Sequence, residues 1–129
     1  IAGGEWLKMV GNETARTNFA NNVKNVLDKY NMDGVDLDFE WAYYASDLTN
    51  YSKAIVKLRN VLGKNVFFTV SLHPVSYKIT PEAIAAVDFI SFQCYGPQAA
   101  LFSFERAFTT SPGRPVKLLL NMEFLKINW

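Results

Sequence analysis

The chain alternates segments whose apolar residues recur at helical spacing with short segments that are almost continuously apolar. Apolar side chains recur every three or four positions over residues 14–30, which predicts an amphipathic helix. Asn31 is a suitable residue to end that helix. A second amphipathic helix is predicted over 48–62, with Asp47 as its N-cap and Gly63 as its C-cap.

Strand-like runs lie between these helices. They cover residues 34–40, 66–72, 89–95 and 116–124. Thr80, Pro81 and Glu82 predict the start of a short helix that reaches about Ala86, because Thr caps, Pro suits the first helical position and an acid suits the first turn. A weaker helical pattern covers 99–108. Strands that alternate with helices predict parallel βα units, and we expect residues 1–129 to form a single domain.

Composition limits the classes of partner and cofactor. Half of the 129 residues are apolar and the formal net charge is +1, which is typical of a globular domain and argues against a nucleic-acid partner. No apolar run approaches the roughly 18 residues of a transmembrane helix, so we expect no membrane partner. The chain has neither a His/Cys cluster with metal-ligand spacing nor a Gly-rich nucleotide loop. We therefore expect no metal or cofactor.

A row of acids in the predicted strand 34–40 is the candidate chemistry. Asp36, Asp38 and Glu40 occupy every second position, with apolar residues between them. Side chains in a strand alternate with period two, so the three carboxylates share one face, with neighbouring Cα atoms about 6.5–7 Å apart. Charges placed in this way repel each other, which favours a role in chemistry over one in folding. The alternatives are a solvated strand end or a cation site, although Gly34 precedes the acids instead of lying among them.

The pattern Asp33-Gly34-x-Asp36-x-Asp38-x-Glu40 resembles the signature of family-18 glycoside hydrolases, which include chitinases, endo-β-N-acetylglucosaminidases and inactive lectin relatives. Ala2-Gly3-Gly4 resembles the end of the family's third barrel strand, residues 88–95 the sixth and residues 115–124 the seventh. The resemblance implies a (β/α)8 TIM barrel, of which this chain would supply about five βα units, strands three to seven. Such barrels need about 200 residues or more, so we expect a fragment or a truncated relative.

The resemblance also implies roles for the acid row. Glu40 would be the general acid and then the general base, Asp38 would accept the acetamide N–H, and Asp36 would share a proton or hydrogen bond with Asp38. Tyr95 would donate its hydroxyl to the acetamide oxygen. The implied reaction is retaining, substrate-assisted hydrolysis of β-1,4-linked N-acetylglucosamine. Asp33, at the start of the strand, is expected to serve structure in a turn or cap.

Four further residues are candidates for substrate binding. Gln93 lies two positions before Tyr95 and should face the same way. Trp41 follows the acid row and either stacks on a sugar or packs at the barrel rim. Trp6 follows the glycine pair and is a candidate to line the groove. Tyr43 lies in the loop after the acid strand, where binding residues concentrate.

The resemblance leaves the substrate open among related glycans. Many family members have Asp directly after the tyrosine, whereas this chain has Gly96. Chitin hydrolysis is the first hypothesis, since the complete acid row is present. An endo-β-N-acetylglucosaminidase on N-glycan cores and a non-catalytic chitin- or oligosaccharide-binding relative are the alternatives. Each has a carbohydrate partner, and the family resemblance implies a secreted or extracellular protein.

Overall fold

The computed structural model describes residues 3–39, 44–72, 78–93 and 118–121. Helices and strands alternate along most of the described chain, which confirms the α/β class. In chain order, the elements are α1 (Gly3–Gly11), α2 (Glu13–Tyr30), β1 (Gly34–Phe39), α3 (Ala45–Leu62), β2 (Phe67–Leu72), α4 (Pro81–Ala86), β3 (Phe89–Gln93) and β4 (Leu118–Asn121).

The strands form one parallel sheet with the order β1-β2-β3-β4. Within the described residues this sheet is open, because β1 and β4 each pair with one strand only. The register places Asp36 beside Thr69, Asp38 beside Ser71, and Ser71 beside Ser91. Parallel βα units are therefore confirmed, and four strands of the expected partial barrel are described.

Three predicted helix ends are confirmed. Asn31 ends α2 in the left-handed conformation, with φ of 50°. Gly63 ends α3 with φ of 76°, a value that residues other than glycine rarely adopt. Thr80 caps α4, and its hydroxyl accepts a hydrogen bond from the backbone N–H of Ala83. These ends were predictable because a cap is a local interaction within one helical turn.

The prediction of Asp47 as the N-cap of α3 is wrong. The helix begins at Ala45, so Tyr44 is the N-cap and Asp47 is the third helical residue. The Asp47 carboxylate accepts the backbone N–H of Tyr44 at 3.2 Å, which is the reciprocal bond of a capping box. An acid satisfies free N–H groups from either position, and residues 45–46 contain nothing that prevents a helix.

The prediction of a strand end at residues 2–4 is wrong for Gly3 and Gly4, which lie in the first turn of α1. Two glycines carry no side-chain pattern of their own. The residues that follow decide the conformation, because Trp6, Leu7 and Val10 recur at helical spacing and pack on or within the core. The predicted helix 99–108, and the ends of the two predicted strands beyond β3 and β4, lie outside the described residues.

The core lies between the sheet and the helices on one of its faces. Its buried apolar side chains come mainly from α3 and the strands. They include Leu37, Phe39, Phe68, Val70, Leu72 and Ile90 from the strands and Tyr51, Ala54, Ile55, Leu58 and Leu62 from α3. In α2 the predicted apolar stripe is only partly buried, since Val26 and Tyr30 are exposed. No helix in the described part of the chain is long and apolar enough to span a bilayer.

Gly34 allows β1 and β2 to approach each other where they begin. A Cβ atom at this position would lie 2.3 Å from the carbonyl oxygen of Phe67, which no real side chain tolerates. The backbone N–H of Phe67 also donates to the carbonyl oxygen of Asp33 at 2.9 Å, which is the structural place expected for Asp33. The glycine of the acid motif therefore sets the start of the β1–β2 pairing.

Candidate functional site

The acids of β1 lie on the face of the sheet opposite the core. Leu37 and Phe39 are buried beneath the helices, whereas Asp36 and Asp38 are exposed. This alternation confirms that Asp36 and Asp38 share one face. Glu40 directly follows β1 and lies outside the described residues.

Two hydroxyl groups of β2 hold the Asp36 carboxylate. Thr69 Oγ1 donates to Asp36 Oδ1 at 2.5 Å, and Ser71 Oγ donates to Asp36 Oδ2 at 2.9 Å. Ser71 Oγ also lies 2.7 Å from the hydroxyl oxygen of Ser91 on β3. Both carboxylate oxygens are therefore engaged, and the hydrogen bonds run across three strands on the acid face.

Sequence reasoning missed these hydroxyl residues. Thr69 and Ser71 alternate with apolar residues in β2, and Ser91 and Gln93 do so in β3. This is the same period of two that marks the acids of β1. Polar residues at alternate positions in otherwise apolar strands were the pattern that could have identified them.

Tyr51 of α3 supports the acid row from the core side. Its hydroxyl donates to the carbonyl oxygen of Leu37, between the two acids, at 3.0 Å. The ring packs against Phe39 with centroids 4.6 Å apart. Burial raises the pKa of the Tyr51 phenol well above its ordinary value, and the charges of Asp36 and Asp38 raise it further. A neutral phenol therefore bonds the strand backbone directly behind the acids.

Trp6 lies on the helical side of the sheet. Its ring contacts Phe19 at a centroid distance of 5.4 Å and Phe39 at 5.5 Å. Because Phe39 points away from the acid face, the structure does not bring Trp6 together with Asp36 and Asp38. A sugar contact by Trp6 stays a prediction, and the described geometry assigns the ring a packing role.

The other predicted site residues are described only in part. Gln93 is the last residue of β3 and is the register partner of Asn121 in β4. It lies two positions beyond Ser91, toward the carboxyl end of the sheet. The remaining candidates lie outside the described residues, namely Glu40, Trp41, Tyr43 and Tyr95.

Neither a groove nor a metal-binding group among the described residues adds to the acid face. A groove of about 560 Å³ lies on the outer helical surface, and its lining includes Arg16, Lys53 and Lys57 but none of the predicted site residues. No group of three or more His, Cys, Asp or Glu side chains within the described ranges could hold a metal ion. What the acid face offers chemically is a pair of carboxylates, one of them fixed by hydroxyl donors.

Three solved structures are similar to this chain. A family-18 chitinase from the chitin utilization locus of Flavobacterium johnsoniae is 30% identical with a TM-score of 0.60, over 72% of this chain and 30% of its own. The chitinase domain of the spore coat protein CotE from Clostridium difficile is 21% identical, with a TM-score of 0.68 over 91% of this chain and 45% of its own. A chitinase from Rhizomucor miehei is 19% identical, with a TM-score of 0.67 over 89% and 45%. The last two show the fold alone, which is that of part of a TIM-barrel chitinase.

Sequence comparison agrees with the structural likeness. A class V chitinase of Arabidopsis thaliana is 27% identical over an alignment of 122 positions, and the match covers 75% of this chain and 32% of that protein. The chain thus spans between about a third and a half of the length of these relatives. The family model described as glycosyl hydrolases family 18 matches residues 1–125, nearly the whole sequence. The chain therefore belongs to glycosyl hydrolase family 18.

Proposed function

We propose that this chain carries part of the catalytic site of a chitinase, which hydrolyses β-1,4-linked N-acetylglucosamine with retention of configuration. The observation that carries the proposal is the pair Asp36 and Asp38, exposed on one face of β1, with Asp36 fixed by two hydroxyls. Family membership supports a carbohydrate substrate. The relatives named above are chitinases, which favours chitin among the family's substrates.

The first step transfers a proton and closes a ring. Glu40 protonates the oxygen of the scissile glycosidic bond, and that bond breaks as the 2-acetamido oxygen of the same sugar attacks the anomeric carbon. An oxazolinium ion forms. Asp38 accepts the acetamide N–H and so stabilises the developing positive charge, while Tyr95 donates its hydroxyl to the acetamide oxygen.

The second step restores the acetamide. Glu40, now a carboxylate, takes a proton from water, whose oxygen attacks the anomeric carbon from the face that the leaving group vacated. The oxazolinium ring opens and the product keeps its configuration. Glu40 is two positions beyond Asp38 in the sequence, and the period of two predicts the same face for both acids.

Asp36 contributes as a fixed neighbour of Asp38. Its two oxygens accept hydrogen bonds from Thr69 and Ser71, so its orientation is set by β2 and not by the substrate. Because β2 holds Asp36 in one orientation, Asp38 keeps the same neighbour while its own hydrogen bonds to the substrate change.

Substrate contacts beyond the reacting sugar complete the proposal. Ser91 of β3 contacts Ser71 on the acid face, and Gln93 is two positions farther along the same strand. Gln93 is therefore a candidate hydrogen-bond partner for the sugar. Trp41 and Tyr43 follow the last residue of β1 in the sequence, and barrel enzymes place binding loops after the carboxyl ends of their strands. Aromatic rings in such loops stack on apolar sugar faces.

Hydrolysis of a fluorogenic N,N′-diacetylchitobioside tests the proposal, with the protein that carries this sequence assayed from acid to neutral pH. The Glu40→Gln variant removes the proton donor with little change of shape, and we expect kcat to fall by about 10²-fold or more. Glu5→Gln is the matched control, because Glu5 is an exposed acid of α1 paired with Lys8. We expect this control to keep full activity.

The other outcomes separate the alternatives. Full turnover by Glu40→Gln would overturn the proposed mechanism. Release of glycan from a high-mannose glycoprotein, without action on chitin oligomers, would instead indicate an endo-β-N-acetylglucosaminidase. Binding of chitin oligosaccharides without turnover at any pH would indicate a non-catalytic relative.

A further inference from the structure

We propose that Ser91 of β3 is a positioning residue for the acid row, and that it acts on Asp36 through the hydroxyl of Ser71. The catalytic part of this inference rests on the proposed function. Ser91 lies two strands away from Asp36 and is in register with Ser71. The number of hydroxyl hydrogens between Ser91 and Asp36 sets which group donates in each hydrogen bond.

Each hydroxyl has one hydrogen to donate and two lone pairs that accept. The single Ser71 hydrogen is directed to Asp36 Oδ2 at 2.9 Å. Ser71 has no second hydrogen for the 2.7 Å contact with Ser91, so Ser91 must be the donor in that contact. The proton order is therefore Ser91 to Ser71 to Asp36, and the direction is fixed by the acceptor at its end.

This order gives Ser91 an effect on a carboxylate that it does not touch. Accepting a hydrogen bond polarises the Ser71 O–H and makes it a stronger donor to Asp36, an effect of about 10–30% per bond. It also holds the Ser71 rotamer. Ser71 is beside Asp38 in register, yet its hydroxyl is turned to Asp36. Ser91 thus helps decide which acid the hydroxyl serves.

Burial makes this arrangement specific. Ser71 is 8% exposed, so few water molecules can replace a lost partner. Thr69 binds the other carboxylate oxygen, and Asp36 cannot simply rotate to a new donor without breaking that bond. Removing the Ser91 hydroxyl therefore loosens one of the two bonds that orient Asp36, while leaving the acids themselves in place.

Steady-state kinetics of four variants test the inference. We expect Ser91→Ala to lower kcat roughly 3- to 10-fold with KM changed less than about twofold, because Ser91 acts through Asp36 and not on the bound sugar. Ser91→Thr keeps a hydroxyl and should restore kcat to within about twofold of the wild type. Ser71→Ala, which removes the bond itself, should lower kcat more than Ser91→Ala does.

Ser52→Ala is the matched control. Ser52 is a buried serine of α3 whose hydroxyl donates to the carbonyl oxygen of Leu48 and accepts the N–H of Thr80, away from the acid face. It should lower the unfolding midpoint without lowering kcat. Wild-type kcat in Ser91→Ala, or no recovery in Ser91→Thr, would overturn the inference while Glu40→Gln still tests the proposed function.

A double-variant cycle tests the hydrogen-bond chain without any need for turnover. Ser91→Ala is combined with Asp36→Ala, and the urea midpoints of the four proteins are compared. Ser91→Ala should lower the urea midpoint at most about half as much in the Asp36→Ala background as in the wild type. The reason is that the hydrogen bonds from Ser91 through Ser71 then have no carboxylate to accept the last one. Additive losses would overturn the inference, even if the wild type hydrolysed no glycan.

Discussion

Two hydrogen-bond networks connect β2 with its neighbours, one at the amino ends of the strands and one farther along them on the acid face. Near the amino ends of the strands, Arg59 of α3 binds Asp88 with an Nη2–Oδ2 distance of 2.7 Å and donates to the carbonyl oxygens of Gly63, Val66 and Ala86. Asp88 in turn accepts the backbone N–H of Phe68 at 2.8 Å. Toward the carboxyl ends, hydroxyls of β2 and β3 lead to Asp36.

The two networks differ in where they end. The Arg59 network ends on backbone groups of the elements that it joins, and the Arg59 side chain is only 15% exposed. The hydroxyl network ends on a carboxylate, and the Asp36 residue is exposed on the open face. Hydrogen bonds from Arg59 to backbone groups hold the helices and strands together. Hydrogen bonds to the exposed Asp36 carboxylate orient a side chain that the proposed reaction uses. We therefore expect substitutions in the Arg59 network to lower stability and substitutions on the acid face to lower kcat.

The largest expected effect is on activity, at the acid face. Asp38→Asn should lower kcat about 10²-fold or more on a chitobioside, because the amide cannot accept the acetamide N–H in the same way. The residue is exposed, so the urea midpoint should change far less than kcat does. Asp28→Asn, at an exposed acid of α2 paired with Lys24, is the control. If Asp38→Asn lost activity only in proportion to the loss of folded protein, the acid face would not differ from the Arg59 network in the property that it controls.

Arg59→Met should have the largest effect on stability. It removes one donor from the Asp88 carboxylate and the Arg59 donor from three carbonyl oxygens. We expect the free energy of unfolding to fall by about 2–3 kcal/mol in urea titrations. Activity per folded molecule should be unchanged. Lys53→Met on the exposed side of α3 is the control and should change stability little. If Arg59→Met lowered kcat of the folded protein, the amino-end network would not be purely architectural.

Gly34→Ala tests the amino end of β1 itself. The added Cβ meets the Phe67 carbonyl oxygen at 2.3 Å, so the strands must separate, and we expect a loss of about 2 kcal/mol. Gly4→Ala in α1 is the contrasting control, because no atom lies within 4 Å of its new Cβ and alanine favours a helix. Thermal or urea unfolding of both variants gives the comparison, and equal stability would show that β1 shifts without cost.

The smallest expected effect comes from Tyr51, which lies on the core side of β1. Tyr51→Phe removes the bond to the Leu37 carbonyl oxygen, and we expect a loss of about 1 kcal/mol near neutral pH. Because folding raises the pKa of this phenol, the unfolded chain ionises first as pH rises. The stability that Tyr51 contributes is therefore present below the ordinary tyrosine pKa of about 10 and is lost above it.

Urea titrations of the wild type and Tyr51→Phe at neutral and alkaline pH check this sign. The difference between the two proteins should shrink, and then reverse, as the pH rises above about 10. Tyr30→Phe is the control, since Tyr30 is 62% exposed and should show no such change. A difference that stayed constant with pH would mean that the phenol ionises equally well in both states.

Local patterns predicted most of the described elements. The helices α2, α3 and α4 and the strands β1 to β4 lie where apolar spacing, caps and breakers indicate them. The errors have local causes too. Asp47 satisfies the start of α3 from inside the helix, and the glycine pair at 3–4 takes its conformation from the residues that follow.

The acid face shows the boundary between local and tertiary information. That Asp36 and Asp38 share a face followed from the order of residues alone, because the alternation of a strand involves only neighbouring residues. The folded structure was needed to show that Thr69 and Ser71 hold Asp36 and that the Ser91 hydroxyl lies against that of Ser71. Those residues come together through the register of parallel strands, which depends on how the intervening helices pack, and no spacing along one strand contains that register.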